Sequence, residues 1–382
     1  MEKNKKVDVI VVGAGFTGIF ATHKFTSQGY SVQTLEAGDG IGGTWYWNRY
    51  PGARTDSESY VYQYFFSEEL LNEWNWKEKF PAQEETEKYL NFVAEKFDLK
   101  KFIRFGSKVT KAEFMEEQKH WKIRTEDGFE VQSQFLVMGS GLLSKPQLPD
   151  INGIDKFTGK ILHTSHWPKK GLKLSNKDVG IIGTGATGIQ VIQSIASEVK
   201  HLTVFQRTPN YTIPMNNPRF TEQKMAELRG QYPEIKKTRQ NTFAGFLYDF
   251  ESSYHELSQQ ERLACMEKYW KEGSLSFWIG QFPEIFFEEE ANSEISQFVK
   301  DKIRSRVNDP TIAEKLIPKD YGFGTRRVPL ETSYYEVYNR PNVSLIDVRT
   351  NKIKKIAGQE ITLEDQKIKL DVLILATGFD AG

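Results

Sequence analysis

Two short glycine-rich stretches have the residue types and spacing that bind the phosphates of a dinucleotide. The first is Gly13-Ala14-Gly15-Phe16-Thr17-Gly18, and the second is Gly183-Thr184-Gly185-Ala186-Thr187-Gly188. Each follows an apolar run and precedes a helical pattern. In that context the first glycine permits a tight turn, the second lets a pyrophosphate approach a helix N-terminus, and the third lets helix and strand pack closely. The sequence therefore predicts two dinucleotide sites.

The residue at the end of the next strand differs in charge between the two sites. Glu36 ends the strand after the first stretch, where a carboxylate accepts hydrogen bonds from a ribose 2′-hydroxyl and disfavours a 2′-phosphate. Arg207 occupies the corresponding place after the second stretch, where a basic residue accommodates a 2′-phosphate. By its charge the first site suits FAD or NAD, and the difference between the two sites then assigns FAD to the first and NADPH to the second. Arg207 could instead be a solvated surface arginine.

Length and composition exclude several classes of protein. The 382 residues suit two domains. Lys+Arg and Asp+Glu both number 51, so no basic excess suggests a nucleic-acid or membrane-surface partner. The single cysteine, Cys265, excludes a disulfide framework, a multi-cysteine metal site and a redox dithiol, and no metal is expected. The apolar runs are too short to span a membrane, and the start of the chain looks like a first strand rather than a signal peptide, so a cytoplasmic location is expected.

The apolar runs place the two glycine stretches in an α/β fold. Residues 7–12, 179–182 and 370–375 are short apolar runs typical of strands covered on both faces. Residues 217–315 are polar and helix-patterned. We therefore expect two Rossmann-like dinucleotide-binding domains, the second with a helical insertion. The predicted boundaries are 1–150 and 341–382 for the FAD domain, 151–168 for a linker, and 169–340 for the NADPH domain.

The predicted linker has a distinctive pattern, FTGKILHTSHWP. It matches F-x-G-x-x-x-H-x-x-x-W-P at its fixed positions, which are Phe157, Gly159, His163, Trp167 and Pro168. This pattern resembles the fingerprint of the type I Baeyer–Villiger monooxygenases, FAD- and NADPH-dependent flavoproteins that insert oxygen beside a ketone. The alternative is an ordinary interdomain linker in which His163 is a satisfied structural imidazole.

Two further stretches are similar to the same family. GGTWYWNRYPGARTD, ending at Asp56, matches G-G-x-W-x-x-x-x-Y-P-G-x-x-x-D and reads as an ordered loop without helix or long strand. The resemblance implies that this loop passes along the flavin and that Asp56 lies by the catalytic centre; the alternative is a surface loop with Asp56 solvated. GFGTRRVPL resembles the segment that carries the family's active-site arginine, which makes Arg327 catalytic and Arg326 a contact of the 2′-phosphate.

The resemblance carries a set of expected site residues. The catalytic residues are Arg327 and Asp56. The expected cofactor-binding residues, which include both of these, are Gly13, Gly15, Phe16, Gly18, Glu36, Thr44, Trp45, Tyr46, Trp47, Arg54, Thr55, Asp56, Tyr62, Val109, Gly183, Thr184, Gly185, Ala186, Thr187, Gly188, Ile189, Gln190, Arg207, Thr208, Arg326, Arg327, Ala376, Thr377 and Gly378.

The resemblance also implies a reaction. NADPH reduces FAD, dioxygen forms a C4a-peroxyflavin, and the peroxide attacks a ketone to give an ester or lactone; sulfoxidation is a further activity of such a centre. Arg327 would supply positive charge where negative charge develops. The alternatives are a flavin-containing monooxygenase that oxidises nitrogen or sulfur, and a non-catalytic nucleotide-binding fragment. The family has further sequence after the motif at Ala376, so the chain is expected to be truncated at its C-terminus.

Overall fold

The computed structural model describes residues 5–250 and 252–380, and these fall into two compact units. The first unit is drawn from Met1–Arg49, Gln83–Gln147 and Phe379–Gly382, and the second from Tyr50–Ala82 and Leu148–Gly378. No helix in the described part of the chain is long and apolar enough to cross a membrane.

The first unit is built on one mixed sheet. Its strands are β1 (Lys5–Val12), β2 (Val32–Leu35), β3 (Ile103–Arg104), β4 (Val109–Met115), β5 (His120–Thr125) and β6 (Glu130–Met138), and its helices are α1 (Phe16–Ser27), α2 (Thr44–Trp47) and α4 (Gln83–Lys96). The spatial order is β3-β2-β1-β6-β5-β4. β3, β2, β1 and β6 pair in parallel, whereas β5 runs antiparallel to both of its neighbours, β6 and β4.

Strand β1 is apolar on both sides because both of its faces are covered. Val9 and Val11 pack with Ala21 of α1 on one face, and Ile10 packs with Ile123 on the other. Consecutive side chains of a strand point to opposite faces, so a near-continuous apolar run is what a strand in the middle of a covered sheet requires. The glycine stretch at the end of β1 is thereby held on a rigid element.

The second unit contains a wholly parallel sheet. Its strands are β7 (Lys160–His163), β8 (Asp178–Ile182), β9 (His201–Gln206), β12 (Val343–Asp347) and β16 (Val372–Leu375), in the order β12-β9-β8-β16-β7. Two short ladders accompany it: β10 (Ile213–Pro214) with β11 (Leu330–Glu331), and β13 (Lys355–Ala357), β14 (Glu360–Thr362) and β15 (Lys367–Lys369).

Helices supply most of the rest of the second unit, and most of them lie within the predicted insertion. They are α3 (Glu68–Glu73), α5 (Ala186–Ile195), α6 (Glu222–Asn241), α7 (Gln259–Glu272), α8 (Ser276–Ile279), α9 (Glu289–Arg306) and α10 (Pro310–Leu316). Local sequence sets their ends. A capping box of Ser258 and Glu261 begins α7, and Gly273 in the left-handed region ends it.

The structure corrects the predicted domain boundaries. β16 lies between β8 and β7, with Leu373 in register with both Gly180 and Ile161, so 341–378 belongs to the second unit rather than to the first. Residues 151–168 are more than a linker, because β7 is an edge strand of the same sheet. Residues 50–82 also belong to the second unit.

The expectation of a loop without helix before Asp56 is likewise corrected. Thr44–Trp47 forms one helical turn, and both Trp45 and Tyr46 are buried. Aromatic residues are poor helix formers. Here the burial of the Tyr46 ring against Gly38 and Gly40 decides the local conformation.

Candidate functional site

The first glycine stretch is a tight turn that only glycine fits at two of its positions. Gly13 has a φ of +96°, and a Cβ added to Gly18 would lie 1.8 Å from the Gly13 carbonyl oxygen. A Cβ on Gly13 would lie 2.5 Å from the carbonyl oxygen of Gly139, which follows β6. The turn therefore places the N-terminus of α1 directly at the end of the sheet, in the arrangement that binds a pyrophosphate.

Glu36 fastens this turn from the end of β2. Its carboxylate is buried, and it accepts one hydrogen bond from the amide of Ala14 at 2.6 Å and another from the amide of Gly38 at 2.7 Å. Each carboxylate oxygen retains a second lone pair for a ligand hydroxyl. The structure thus gives Glu36 a part in shaping the turn in addition to its predicted contact with a ribose.

The aromatic turn of α2 belongs to the same unit as the first glycine stretch. Gly43, which precedes α2, approaches so closely that a Cβ on Gly15 would lie 3.3 Å from the Gly43 Cα. The Tyr46 hydroxyl donates to the carboxylate of Asp39, and Trp47 at the end of the turn is partly exposed. Thr44, Trp45, Tyr46 and Trp47 are therefore brought to the first glycine stretch.

Two other predicted cofactor residues of this unit start secondary-structure elements. Phe16 is the first residue of α1, and Val109 is the first residue of β4. The segment before Val109 is joined to the end of β2, because the amide of Ser107 donates to the Glu36 carbonyl at 2.7 Å. The fold thus brings Val109 into the region of Glu36.

The second glycine stretch repeats the geometry of the first. A Cβ on Gly188 would lie 2.2 Å from the Gly183 carbonyl oxygen, whereas a Cβ on Gly185 would meet no atom within 4 Å. The space beside Gly185, at the N-terminus of α5, is therefore open to a phosphate group. The Thr184 hydroxyl donates to the Thr208 carbonyl at 2.8 Å and ties the turn to the end of β9.

The Ala376 carbonyl packs against Gly183 of the second turn, as the Gly139 carbonyl packs against Gly13 of the first. A Cβ on Gly183 would lie 2.3 Å from the Ala376 carbonyl oxygen. The expectation that this strand belongs to the FAD domain is therefore wrong, since Ala376 packs on the second turn and lies in the second unit. The roles of Ala376, Thr377 and Gly378 as flavin contacts stay predictions.

Two predicted phosphate-binding arginines lie in the second unit with their charges unpaired. Arg207 follows β9, Arg326 lies in the segment before β11, and both are exposed. Within 5–250 and 252–380, neither guanidinium lies within ion-pair distance of a carboxylate. A cation without a carboxylate partner remains available to an anionic ligand.

The loop that leads to Asp56 is held by α5. The Tyr50 hydroxyl donates to Gln190 Oε1 at 2.9 Å, and Gln190 Nε2 donates to the Arg54 carbonyl at 3.2 Å. Burial raises the pKa of Tyr50 to about 12, so its hydroxyl stays protonated and able to donate. Thr55 is held in turn, because its amide donates to the Pro81 carbonyl at 3.1 Å. Gln190, predicted as a coenzyme residue, thus also positions this loop.

Asp56 and Arg327 form an ion pair within the second unit. Asp56 Oδ2 accepts a hydrogen bond from Arg327 Nη2. Burial raises the pKa of the Asp56 carboxyl, while Arg327 and the amide of Leu330 act in the opposite direction. The attraction of Asp56 raises the pKa of Arg327 further above its usual value, so the guanidinium stays charged. Tyr62 also contributes to raising the pKa of Arg327.

The Nδ1 atom of His163 is held by the residues that follow it in the chain. It ends β7, and its Nδ1 accepts a hydrogen bond from the amide of Ser165 at 3.2 Å and lies 2.7 Å from the Ser165 hydroxyl. Phe157 and Trp167 are both buried, in two different apolar clusters. This geometry favours a structural role for His163.

Sequence reasoning missed two residues beside the predicted site. Glu58 is buried, and its nearest cation is the Lys79 ammonium at 4.0 Å. Its only sequence signal is its position two residues after Asp56, since an isolated glutamate is usually exposed. Tyr321 contacts both Arg326 and the residues after Thr208.

No group of three or more His, Cys, Asp or Glu side chains among the described residues could hold a metal ion.

Comparisons with known proteins agree on one family. The model of the flavin-binding monooxygenase-like family matches residues 4–217. The acetone monooxygenase (methyl acetate-forming) of Gordonia sp. is 46% identical over 377 residues, which cover 98% of this chain and 71% of that protein. A Baeyer–Villiger monooxygenase of Pseudooceanicola batsensis is 43% identical, covering 98% of this chain and 69% of that protein. A crystal structure of OTEMO with FAD and NADP superposes with a TM-score of 0.96 at 42% identity, covering 99% of this chain and 73% of the other.

Proposed function

We propose a reaction for this chain on the basis of its family, since it belongs to the flavin-binding monooxygenase-like family and, within it, to the Baeyer–Villiger monooxygenases. The proposed reaction converts a ketone into an ester or lactone with FAD, NADPH and dioxygen. FAD and NADPH, when bound, supply the reducing electrons and the activation of oxygen. The residues of this chain bind and orient them, and provide fixed charge where charge develops.

The first glycine turn has the features that FAD requires. The N-terminus of α1 presents backbone amides to the pyrophosphate, and side chains larger than hydrogen would close the turn at Gly13 and Gly18. Glu36 would accept hydrogen bonds from the ribose of the adenosine moiety. Its negative charge selects against a 2′-phosphate at this site.

The second glycine turn has the features that NADPH requires. The open space beside Gly185 accommodates a pyrophosphate. Among the described residues, neither Arg207 nor Arg326 has a carboxylate partner, and their planar guanidinium groups can bind a phosphate through two parallel hydrogen bonds. These charges favour NADPH over NADH.

The observation that carries the proposed reaction is the ion pair of Arg327 with the buried Asp56. The carbonyl oxygen of a ketone gains negative charge when its carbon becomes tetrahedral. Arg327 is suited to stabilise that charge because its guanidinium stays protonated and its side chain is largely exposed. Asp56 would orient Arg327 by accepting from one of its nitrogens, which leaves other N–H groups for the substrate.

The test is product analysis on the purified protein loaded with FAD. Linear, cyclic and aryl ketones are each supplied with NADPH under ¹⁸O-labelled dioxygen, with a sulfide and a tertiary amine in parallel. We expect esters or lactones that contain one labelled oxygen, in proportion to the NADPH consumed. NADPH oxidation that yields only hydrogen peroxide with every ketone would contradict the proposal, and product from the sulfide or amine alone would favour the alternative monooxygenase class.

A further inference from the structure

Tyr321 lies between the two segments that carry the proposed 2′-phosphate contacts. Its hydroxyl donates a hydrogen bond to the Pro209 carbonyl at 2.7 Å and lies 3.2 Å from Asn210 Oδ1. Pro209 directly follows Thr208, so the hydroxyl is attached to the segment that begins with Arg207. One side chain therefore links the end of β9 to the segment that continues into β11.

The ring of Tyr321 supports the guanidinium of Arg326. The Arg326 Cζ lies 4.5 Å from the ring centroid, which is the range of a cation–π contact. Stacking occupies a face of the planar guanidinium and leaves its N–H groups, which lie in the plane, free to donate to a phosphate. It also restricts a long exposed side chain that would otherwise lose rotamer freedom when it binds.

The support itself is rigid. The Tyr321 ring packs edge-on against Tyr211, with centroids 5.6 Å apart and planes at 86°. Tyr211 is 1% exposed and belongs to the main apolar core of the second unit. Burial raises the pKa of Tyr321 to about 12, so its hydroxyl stays a hydrogen-bond donor over the working range of pH.

We propose that Tyr321 is a positioning residue for coenzyme selection, which holds Arg326 at a fixed place relative to Arg207 and Thr208 so that both arginines meet the same 2′-phosphate. This inference rests on the proposed NADPH site. Tyr321 is therefore expected to affect binding of the 2′-phosphate and not of the rest of the nucleotide. The reason is that its ring contacts Arg326, while its hydroxyl contacts only the Pro209 carbonyl and Asn210 in the segment after Arg207.

The experiment compares two nucleotides that differ in the 2′-phosphate. Isothermal titration of the FAD-loaded chain with 2′,5′-ADP and with 5′-AMP is carried out for the unmodified protein, Tyr321→Phe, Tyr321→Leu, Arg326→Ala and the Tyr321→Leu/Arg326→Ala double variant. Tyr254→Leu is the matched control, because it removes a tyrosine that supports another arginine, Arg262, at 4.1 Å in the same unit.

Tyr321→Leu is expected to weaken 2′,5′-ADP binding about threefold to tenfold, the range of a cation–π contact with some shielding from water, and to leave 5′-AMP binding unchanged. Tyr321→Phe keeps the ring but loses the hydrogen bond to the Pro209 carbonyl, so it should lose less affinity for 2′,5′-ADP than Tyr321→Leu does. In the Arg326→Ala background, Tyr321→Leu should have no further effect, because a positioning residue acts only through the residue it positions. Tyr254→Leu should change neither affinity.

Three results would overturn the inference. Equal weakening of 2′,5′-ADP and 5′-AMP would show a general packing role, and so would a Tyr321→Leu effect that persists in the Arg326→Ala background. Unchanged 2′,5′-ADP affinity in both Tyr321 variants would show no role in phosphate binding. If the unmodified chain binds 2′,5′-ADP no more tightly than 5′-AMP, the NADPH site itself is refuted and the role of Tyr321 falls with it. If Tyr321→Leu fails to fold, Tyr321→Phe alone still tests the inference, because that variant must weaken the binding of 2′,5′-ADP and leave the binding of 5′-AMP unchanged.

Discussion

Asp56 is buried, with a side chain 3% exposed, whereas its partner Arg327, 271 positions later in the chain, has a side chain 61% exposed. The ion pair is therefore asymmetric: the Asp56 carboxylate is buried inside the second unit, whereas the Arg327 side chain is largely exposed. A buried carboxylate without its partner would be costly, so Asp56 and Arg327 constrain each other. Such a pair suits a residue that must present a positive charge in one orientation.

Arg327→Ala is expected to slow ester formation severely while FAD binding is retained. The reason is that the guanidinium supplies charge in the transition state, and loss of one such donor typically costs about 100- to 1000-fold in rate. The measurement is ester formed per NADPH oxidised, with flavin content as the control. Arg327→Lys should recover little, because an ammonium cannot reproduce the geometry of the fork. Near-normal ester formation by Arg327→Ala would remove this residue from the mechanism.

Glu36→Gln is expected to weaken FAD binding about tenfold or more, since charge-assisted hydrogen bonds are worth roughly 1.5–3 kcal/mol. The change also puts an amide group where the amides of Ala14 and Gly38 need acceptors. Flavin fluorescence titration measures the affinity. Glu130→Gln, which neutralises a carboxylate on β6 of the same unit, is the control and should bind FAD normally. FAD affinity that is equal in both variants would argue against the assignment of Glu36.

Gly185→Ala and Gly188→Ala are expected to fail in different ways. The methyl group at residue 185 meets no protein atom, so that variant should fold normally but bind NADPH weakly, because the methyl group fills the space of the pyrophosphate. The methyl group at residue 188 would lie 2.2 Å from a carbonyl oxygen, and overpacking of this kind costs about 1–3 kcal/mol of stability. Thermal unfolding and coenzyme titration separate the two effects. Identical behaviour of the variants would contradict the geometry of the turn.

Glu58→Gln is expected to make stability less dependent on pH. Burial raises the native pKa of Glu58 above its ordinary value, although Lys79 acts in the opposite direction. The native state then holds this proton more tightly than the unfolded state, so the free energy of unfolding falls as pH rises from the ordinary value through the native one. Glutamine cannot ionise, so that fall should disappear and the variant should be the more stable at neutral pH.

Urea unfolding at several pH values from mildly acidic to neutral measures this dependence. Glu113→Gln, which removes an exposed carboxylate on β4, is the control and should follow the unmodified protein. Parallel stability curves for Glu58→Gln and the unmodified protein would show that Glu58 ionises in the native state without cost.

Local chemistry made much of the architecture predictable. The α/β fold class with two dinucleotide-binding units is confirmed by the superposition on OTEMO. The glycine turns were predictable because their constraints lie within a few residues: Gly18 must be small on account of Gly13. The expected pairing of Asp56 with Arg327 came from the resemblance to a family, since nothing in the local sequence joins residues so far apart.

Tertiary pairing was not predictable from the same patterns. The apolar runs that become β6 and β16 are both followed by small residues, so sequence alone does not tell which sheet each one joins. The pairing of β16 with β8 in the structure shows that β16 joins the sheet of the second unit. Tyr321 was missed for a related reason, because its partners Pro209 and Asn210 are distant in the chain and carry no motif of their own.

During synthesis on the ribosome, the sheet of the second unit cannot be completed until β16 has been made. β7, β8 and β9 leave the ribosome early, yet β7 and β8 are not neighbours and the gap between them is filled only by Val372–Leu375. Until then a nascent chain presents unpaired strand edges, which are the surfaces that aggregate or recruit chaperones. Pairing over so long a sequence separation is also slow. Insertion of β16 is therefore expected to limit the folding rate of the second unit, after the first sheet has already formed from residues 5–138.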